Sequence, residues 1–308
     1  TGLITEKLYN SKKSGEQKNI DYVLNNCNED IIILGSSRAM HHYNPEIIGN
    51  YCNMSCYNGG MGGQSLLFFR AQEICFLKRY KPKVLVIDLI PYSIKNTKGE
   101  NNPYDKLNCL YPYYDKVPQI NFLIDFKGKS ERYKLKFETY RYNSFFYDII
   151  KNNILKPKDN KGFYKISKIM PENLKNEIKN NSIKYNKEKS KEYFYKYLDT
   201  NMTKALADII EDCNKNNILL IISYSPICSY SDSPDFDFEH LIDYINDLKK
   251  KYNNINVFNY INDERFLSHY ELFWDNVHLN AIGSTIFSEI FAKDLKNLLV
   301  KSSINPPT

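Results

Sequence analysis

Three groups of residues in the sequence have types and spacings that could support nucleophilic chemistry. Ser36 and Ser37 follow an apolar run and a glycine. Asp275 precedes His278 by three residues, and four of residues 59–63 are glycine. A serine hydroxyl becomes a nucleophile when a histidine takes its proton, and an aspartate can hold that histidine in the required tautomer. Backbone N–H groups of a glycine loop can stabilise the resulting oxyanion.

Each group also has a purely structural explanation. Serine is a favoured N-cap, so either serine could cap a helix after the strand. The spacing D-x-x-H also occurs where an acidic residue starts a helix beside an exposed histidine. The glycines could form a plain turn, and they lack the G-x-x-x-x-G-K-[ST] pattern of a phosphate loop. Taken one by one, the features leave these alternatives open.

The elements that must position these residues follow from hydrophobic periodicity. Short apolar runs alternate with amphipathic stretches, which predicts βαβ units around a parallel sheet. The fold class is therefore α/β: a three-layer α/β/α sandwich with a central five-stranded parallel sheet, as in flavodoxin-like folds. The predicted strands of this sheet cover 31–34, 55–58, 83–90, 218–226 and 255–260. Ligands bind beyond the carboxyl ends of such strands, and Ser37 follows the first one.

Residues 96–197 interrupt this alternation. They carry little strand signal and are crowded with Lys, Asn and Tyr, and Pro157 and Pro171 fall between long periodic runs. This pattern predicts a mostly helical, Tyr/Lys-rich insertion after the third strand. The whole chain, 1–308, is accordingly expected to be one α/β domain that contains the insertion.

Composition argues against several classes of function. The net charge of +6 is dispersed, and no zinc-finger spacing or RNA-binding aromatic motif is present, so no nucleic acid is expected as a partner. No H-E-x-x-H motif or His/carboxylate cluster has ligand spacing, so no metal or other cofactor is expected. The acidic stretch 231–239 lacks the calcium-hand register and is predicted to be a solvated loop near the site rim.

Cysteines and the remaining histidines add little chemistry. The seven cysteines show no CxxC motif, and their odd number excludes complete internal pairing. Cys52 and Cys56 could pair or could be free buried thiols. His41 and His42 are expected on the turn after Ser37 in surface or supporting roles. His240, in a helix rich in Lys and acidic residues, is expected to be solvated, and His269, the fifth, has no clear partner.

In their order along the chain, the three motifs resemble the SGNH, or GDSL-like, hydrolase superfamily. "ILGSSR" matches its nucleophile block with Ser36 in place of the usual Asp, which implies that Ser37 is the nucleophile. "NGGMGGQS" matches the second block and implies Gly60 as an oxyanion donor, with Asn58 or Gly63 shaping the loop.

"DNVHLNAIGSTIFS" matches the last block of the family and supplies Asp275 and His278. The resemblance implies that Ser37 attacks an ester carbonyl, that His278 takes its proton, and that Asp275 holds the imidazole. The oxyanion would be received by the backbone N–H groups of Ser37 and Gly60. The resemblance covers the α/β portion of the chain and skips the insertion.

One block departs from the family pattern. A Gly-x-Asn usually follows the third strand and its amide donates to the oxyanion, whereas "VIDLIPYSIKN" has no Asn close to the strand end. Either Tyr92, Ser93 or a backbone N–H substitutes for this amide, or the oxyanion hole has fewer donors. Ser36 could cap the turn. Arg38 could tie down the helix start or meet an anionic substrate group, and the structural role is favoured.

The resulting prediction is a serine esterase that hydrolyses short acyl esters, such as O-acetyl groups, on a small molecule, a carbohydrate or a cell-envelope glycan. The alternatives are an acyltransferase with the same triad and a non-catalytic glycan-binding protein. The sequence starts at Thr1 without a Met and opens with a polar segment, which suggests the hypothesis of an N-terminal membrane anchor upstream. The family resemblance, through the "GSSR" of its first block, implies a location outside the cytoplasm, periplasmic or on the cell envelope. The sequence does not indicate the oligomeric state.

Overall fold

The computed structural model describes residues 15–96, 102–142, 160–180, 187–229 and 237–302. Its centre is a sheet of five parallel strands in the order β2-β1-β3-β4-β5. The strands are β1 (Ile31–Gly35), β2 (Cys56–Asn58), β3 (Val84–Asp88), β4 (Leu219–Tyr224) and β5 (Ile255–Asn259). The predicted α/β fold with a five-stranded parallel sheet is confirmed.

Helices flank the sheet and also fill most of the segment between β3 and β4. In chain order they are α1 (Gly15–Asn25), α2 (Ser37–His42), α3 (Pro45–Cys52), α4 (Leu66–Leu77), α5 (Pro103–Lys106), α6 (Asn121–Asp125), α7 (Lys129–Lys134), α8 (Glu138–Arg141), α9 (Glu172–Asn180), α10 (Lys187–Lys196), α11 (Thr200–Lys215), α12 (Phe238–Lys251) and α13 (Ala281–Lys301). Short 3₁₀ turns cover Pro91–Ile94, Leu107–Tyr113, Pro118–Ile120 and Tyr270–Leu272.

The sheet separates two hydrophobic cores because successive strand residues point to opposite faces. Ile32 and Leu34 of β1 pack in a core with α1, α4, α11 and α12. Ile31 and Ile33 pack on the other face in a core with α3 and α13. Both faces of the strands are therefore buried, which explains their near-continuous apolar sequences and yields the three predicted layers.

The described part of the predicted insertion is mostly helical and adds to the larger core. Leu110, Ile124, Leu135 and Phe194 are completely buried there, together with residues of α4. A different part of it, residues 160–170, has no helix or strand and lies beside α2 and α13; we call this segment the strap. Residues 143–159 and 181–186 of the insertion lie outside the described residues.

Several remaining expectations concern the chain ends and the cysteines. All seven cysteines are free and buried, so Cys52 and Cys56 do not pair. The opening segment is helical from Gly15, and residues 1–14 lie outside the described part of the chain. Within the part that the structure describes, no helix combines the length and apolar character needed to cross a bilayer.

Candidate active site

The turn between β1 and α2 places Ser37 at the carboxyl end of the central sheet. β1 ends at Gly35 and α2 starts at Ser37. A Cβ at Gly35 would lie 2.5 Å from the Ala39 Cβ and 3.1 Å from the Asp88 Cβ, so only glycine lets the helix start this close to the sheet. Ser37 is consequently held at the edge of the sheet where ligands of parallel α/β folds bind.

Ser37, His278 and Asp275 form one hydrogen-bonded chain. The Ser37 Oγ donates to His278 Nε2 at 2.8 Å, and His278 Nδ1 donates to Asp275 Oδ2, also at 2.8 Å. The other carboxylate oxygen, Asp275 Oδ1, accepts the backbone N–H groups of Val277 (2.9 Å) and His278 (2.8 Å). The tight turn before α13 thus fixes both the carboxylate and the ring. This is the geometry in which a histidine can take the serine proton.

The surroundings of Asp275 favour the ionised form of its carboxylate. Burial raises the pKa of Asp275, but its hydrogen bonds to the His278 ring and to the two backbone N–H groups outweigh burial and lower the pKa overall. An ionised Asp275 accepts the Nδ1 proton and leaves Nε2 of His278 as the acceptor for serine.

A second D-x-x-H pair is hidden in the core. Asp237 and His240 are hydrogen-bonded at 2.6 Å, but their side chains are only 1% and 2% exposed, whereas those of Asp275 and His278 are 27% and 19% exposed. The prediction that His240 is solvated is therefore wrong. The reason is that His240 lies on the face of α12 that packs against the core, beside Phe194.

We call Ser37, His278 and Asp275 the triad. His41 and His42 lie in α2, the helix that carries Ser37, and both lie next to the triad. His42 is completely buried, and its Nε2 accepts the backbone N–H of Leu279 (3.0 Å), next to the catalytic candidate His278. Burial lowers the pKa of His42 well below its usual value, which keeps it neutral. His41 donates from Nδ1 to the Tyr164 carbonyl at 2.6 Å, and its ring lies 5.6 Å from that of His278.

The strap holds this side of the site in place. The backbone N–H of Tyr164 donates to the Met40 carbonyl (3.0 Å), and that of Ala281 donates to the Ile166 carbonyl (2.7 Å). The strap therefore links α2, which carries Ser37, to α13, which follows His278. This part of the insertion has a role at the site that no sequence motif indicated.

The glycine loop differs from its prediction at Gly60. Asn58 donates from Nδ2 to the carbonyls of Ala39 (2.7 Å) and Tyr43 (2.8 Å), and its Oδ1 accepts the Gly60 N–H (2.9 Å). The side chain of Asn58 thus ties the loop to α2, as its expected shaping role requires. The Gly60 N–H is already engaged and is not available to an oxyanion in this structure.

The other residues predicted to support the site differ in the hydrogen bonds that they make. Gly63 has a φ of +69° and its carbonyl accepts a long hydrogen bond from the Tyr92 hydroxyl (3.5 Å). Ser93 is completely buried, and its hydroxyl has no hydrogen-bond partner among the described residues. Ser36 occupies the N-cap position of α2, but its side chain makes no capping hydrogen bond, so that prediction is wrong. Its Oγ faces the protein interior instead.

Arg38 is buried and spans the sheet edge. Its Nε donates to the Ser225 Oγ (3.1 Å), and its Nη2 donates to the same oxygen (2.9 Å), to the Ser225 carbonyl and, weakly, to the Pro226 carbonyl (3.5 Å). The favoured structural role of Arg38 is thus observed, although its anchor is on the segment after β4 rather than at the helix start. Ser225 lies 187 residues away, so no local signal predicted this contact.

A small cavity of about 170 Å³ opens beside the triad. Its wall is mainly apolar, and it is lined by Ser37, Arg38, Ile90, Tyr92, Phe238, Val277 and His278. Phe238 is buried, which corrects part of the solvated-loop prediction for 231–239; residues 230–236 lie outside the described residues. A larger open groove, about 720 Å³, lies between α3 and α13 and is lined by no residue of the triad.

On another side of His278 the rim is aromatic and cationic. The Trp274 ring lies 6.4 Å from the His278 ring, and the Lys168 ammonium lies 6.0 Å from the Trp274 ring. Trp274 is half-buried, so part of its surface is accessible next to the triad. Among the described residues, no group of three or more His, Cys, Asp or Glu is arranged to hold a metal ion.

Comparison with known proteins gives matches only among solved structures. No protein-family model matches the chain, and no curated protein sequence matches it. A protein assigned to the G-D-S-L family of lipolytic proteins from Desulfitobacterium hafniense aligns with a TM-score of 0.42 and 10% identity, over 86% of this chain and 99% of the other. An acylhydrolase candidate from Bacteroides fragilis aligns with a TM-score of 0.39 and 13% identity, over 92% and 93%.

An active-site mutant of a family two carbohydrate esterase from Clostridium thermocellum aligns with a TM-score of 0.41 and 10% identity, over 87% of this chain and 63% of the other. All three TM-scores are below 0.5. At such identities the functional conclusion comes from the geometry of the site itself.

Proposed function

We propose that the chain is a serine esterase that hydrolyses short acyl esters with Ser37, His278 and Asp275. The observation that carries this proposal is the position of His278, whose two ring nitrogens lie 2.8 Å from a serine hydroxyl and 2.8 Å from a carboxylate. Ser37 attacks the ester carbonyl carbon while His278 takes its proton. His278 then gives that proton to the departing alcohol, and water repeats the sequence on the acyl-enzyme.

The size of the cavity supports a short acyl group. An apolar cavity of about 150 Å³ is large enough for benzene, so the cavity of about 170 Å³ fits an acyl group of a few carbon atoms. Ile90, Phe238 and Val277 provide an apolar wall for it. A long fatty acyl chain would have to extend out of the cavity, where its burial would contribute little to binding.

The alcohol part of the ester is proposed to be a carbohydrate. Trp274 and Lys168 form a half-exposed aromatic and cationic rim beside His278, and aromatic faces of this kind can stack on sugar rings. A glycan of the cell envelope and a location outside the cytoplasm stay predictions from the sequence.

The first test compares p-nitrophenyl acetate, butyrate and octanoate with the wild type, Ser37→Ala and His278→Ala. We expect turnover of the two short esters, a steep fall for octanoate, and a loss of about 10⁴-fold or more in kcat/KM for both variants. His269→Ala is the matched control, because His269 also pairs with a carboxylate, Glu271 (2.9 Å), but its side chain is 50% exposed. Equal activity of all four proteins would overturn the proposal.

The second test uses an O-acetylated methyl glycoside and measures released acetate, with and without an unacetylated sugar acceptor. Release of free acetate supports a hydrolase. Transfer of the acetyl group to the acceptor without release would identify an acyltransferase using the same three residues. Binding of the glycoside without either product would identify a binding protein and would contradict the proposed chemistry.

A further inference from the structure

The guanidinium of Arg38 is fixed on three sides beside the nucleophile. Its Nε and Nη2 donate to Ser225 and Pro226, and its Cζ lies 5.1 Å from the centroid of the Phe238 ring. Arg38 follows Ser37 directly and lines the same cavity. A cation held this rigidly has no rotameric freedom left to lose when it meets a substrate.

The third nitrogen of this guanidinium is left for another partner. Nη1 donates to no group among the described residues, although Arg38 as a whole residue is only 3% exposed. The carboxylates of Asp88 and Asp275 attract the Arg38 guanidinium electrostatically, but neither forms an ion pair with it in the described part of the chain. An unpaired buried cation is costly, so a compensating negative charge in the cavity would be strongly favoured.

The topology places this nitrogen near the carboxyl end of β3. In the sheet order, β3 lies between β1 and β4, so a side chain that reaches from α2 to Ser225 crosses the end of β3. At this edge the segment after β3 lacks the Asn side chain that the family pattern places there. The other candidates are less suitable, because the Tyr92 hydroxyl is directed to the Gly63 carbonyl and Ser93 does not line the cavity.

We propose that Arg38 Nη1 donates a hydrogen bond to the oxyanion formed on the substrate, in place of a side-chain amide. The inference rests on the proposed esterase function. When the Ser37 Oγ forms its bond to the carbonyl carbon, the carbonyl π electrons move to the oxygen and the serine proton moves to His278. The oxyanion then lies against a fixed cation, and the charge is released when the C=O bond re-forms and the alcohol leaves with the His278 proton.

The physical consequence is a cationic oxyanion hole. A charge-assisted hydrogen bond is about twice as strong as a neutral one, and a preorganised donor needs no reorganisation during the reaction. Ser37, at the first position of α2, contributes a backbone N–H that the helix itself does not use. Arg38 therefore compensates for the engaged N–H of Gly60 as well as for the missing amide.

The test is a kinetic comparison of Arg38→Met and Arg38→Lys with the wild type on methyl glycosides carrying one acetyl, butyryl or succinyl ester. Loss of one oxyanion donor lowers kcat about 10²- to 10³-fold. We expect this loss for Arg38→Met on all three esters, with KM changed no more than a few-fold, and a smaller loss for Arg38→Lys. Millimolar guanidinium should restore part of the activity of Arg38→Ala, whereas methylammonium should restore less.

Three results would overturn the inference. An effect confined to KM for the succinyl ester would show that Arg38 binds a carboxylate of the substrate instead. Unchanged kcat in Arg38→Lys and Arg38→Met would show that Arg38 does not contact the oxyanion. Equal activity losses in Arg38→Met and Ser225→Ala, with no rescue of Arg38→Ala by guanidinium, would show a purely structural role. Failure of the proposed function itself is distinguishable, because the wild type would then hydrolyse none of the three esters.

Discussion

For the replacement of Asp275 by asparagine, the structure predicts both the orientation of the new amide and its effect on His278. Asp275 Oδ1 accepts two backbone N–H groups, from Val277 and His278, while Oδ2 accepts the His278 ring. In Asp275→Asn the amide oxygen must take over the two backbone donors, because an NH₂ group cannot accept them. The NH₂ group then faces His278 Nδ1.

This orientation forces the wrong tautomer of the histidine. With a donor opposite Nδ1, His278 must carry its proton on Nε2, which then donates to the Ser37 hydroxyl instead of accepting from it. The same change in serine-protease triads lowers turnover about 10⁴-fold, which corresponds to about 5.4 kcal/mol of transition-state stabilisation. We expect a loss of this size in kcat for p-nitrophenyl acetate.

Asp275→Ala is the matched variant. It also loses activity, but in addition it leaves the N–H groups of Val277 and His278 without their acceptor, which costs about 1–3 kcal/mol of folding free energy. Thermal unfolding should therefore show a lower Tm for Asp275→Ala and a nearly unchanged Tm for Asp275→Asn. Turnover above a tenth of the wild-type value in Asp275→Asn would refute the tautomer argument, and equal Tm losses would refute the proposed orientation of the amide.

Two further predictions concern stability. Glu73 is buried in α4 beside Arg70, and burial raises its pKa from 4.5 to about 8 although the nearby guanidinium opposes this. Between these two values the folded state binds more protons than the unfolded state, so the free energy of unfolding should fall as pH rises from about 4.5 to 8. In chemical denaturation, Glu73→Gln should remove this part of the pH dependence, and an unchanged profile would contradict it. In the strap, a Cβ at Gly162 (φ +83°) would lie 1.8 Å from the Asn58 carbonyl oxygen, whereas one at Gly128 (φ +124°) would meet no atom within 4 Å. Gly162→Ala should therefore lower the stability by about 1–3 kcal/mol more than Gly128→Ala and reduce esterase activity; equal effects would show that the strap contact is unimportant.

The sequence alone was sufficient for the features that depend on local pattern. Four consecutive apolar residues, 31–34, predict a strand buried on both faces, and the spacing of Asp275 and His278 within one tight turn predicts their hydrogen bond. Both depend on residues that are close in the chain, so neighbouring side chains and the backbone between them determine the result. The order of the three motifs was enough to nominate Ser37 as the partner of His278.

Tertiary structure decided which polar groups are free to act. Gly60 was predicted as a donor, but its N–H is taken by Asn58, and Ser36 faces the interior instead of capping α2. His240 has the same spacing to an aspartate as His278, and only packing makes one buried and the other accessible. Arg38 meets an anchor 187 residues away. Such contacts depend on how distant segments are brought together at the end of the sheet, and no local periodicity encodes that placement.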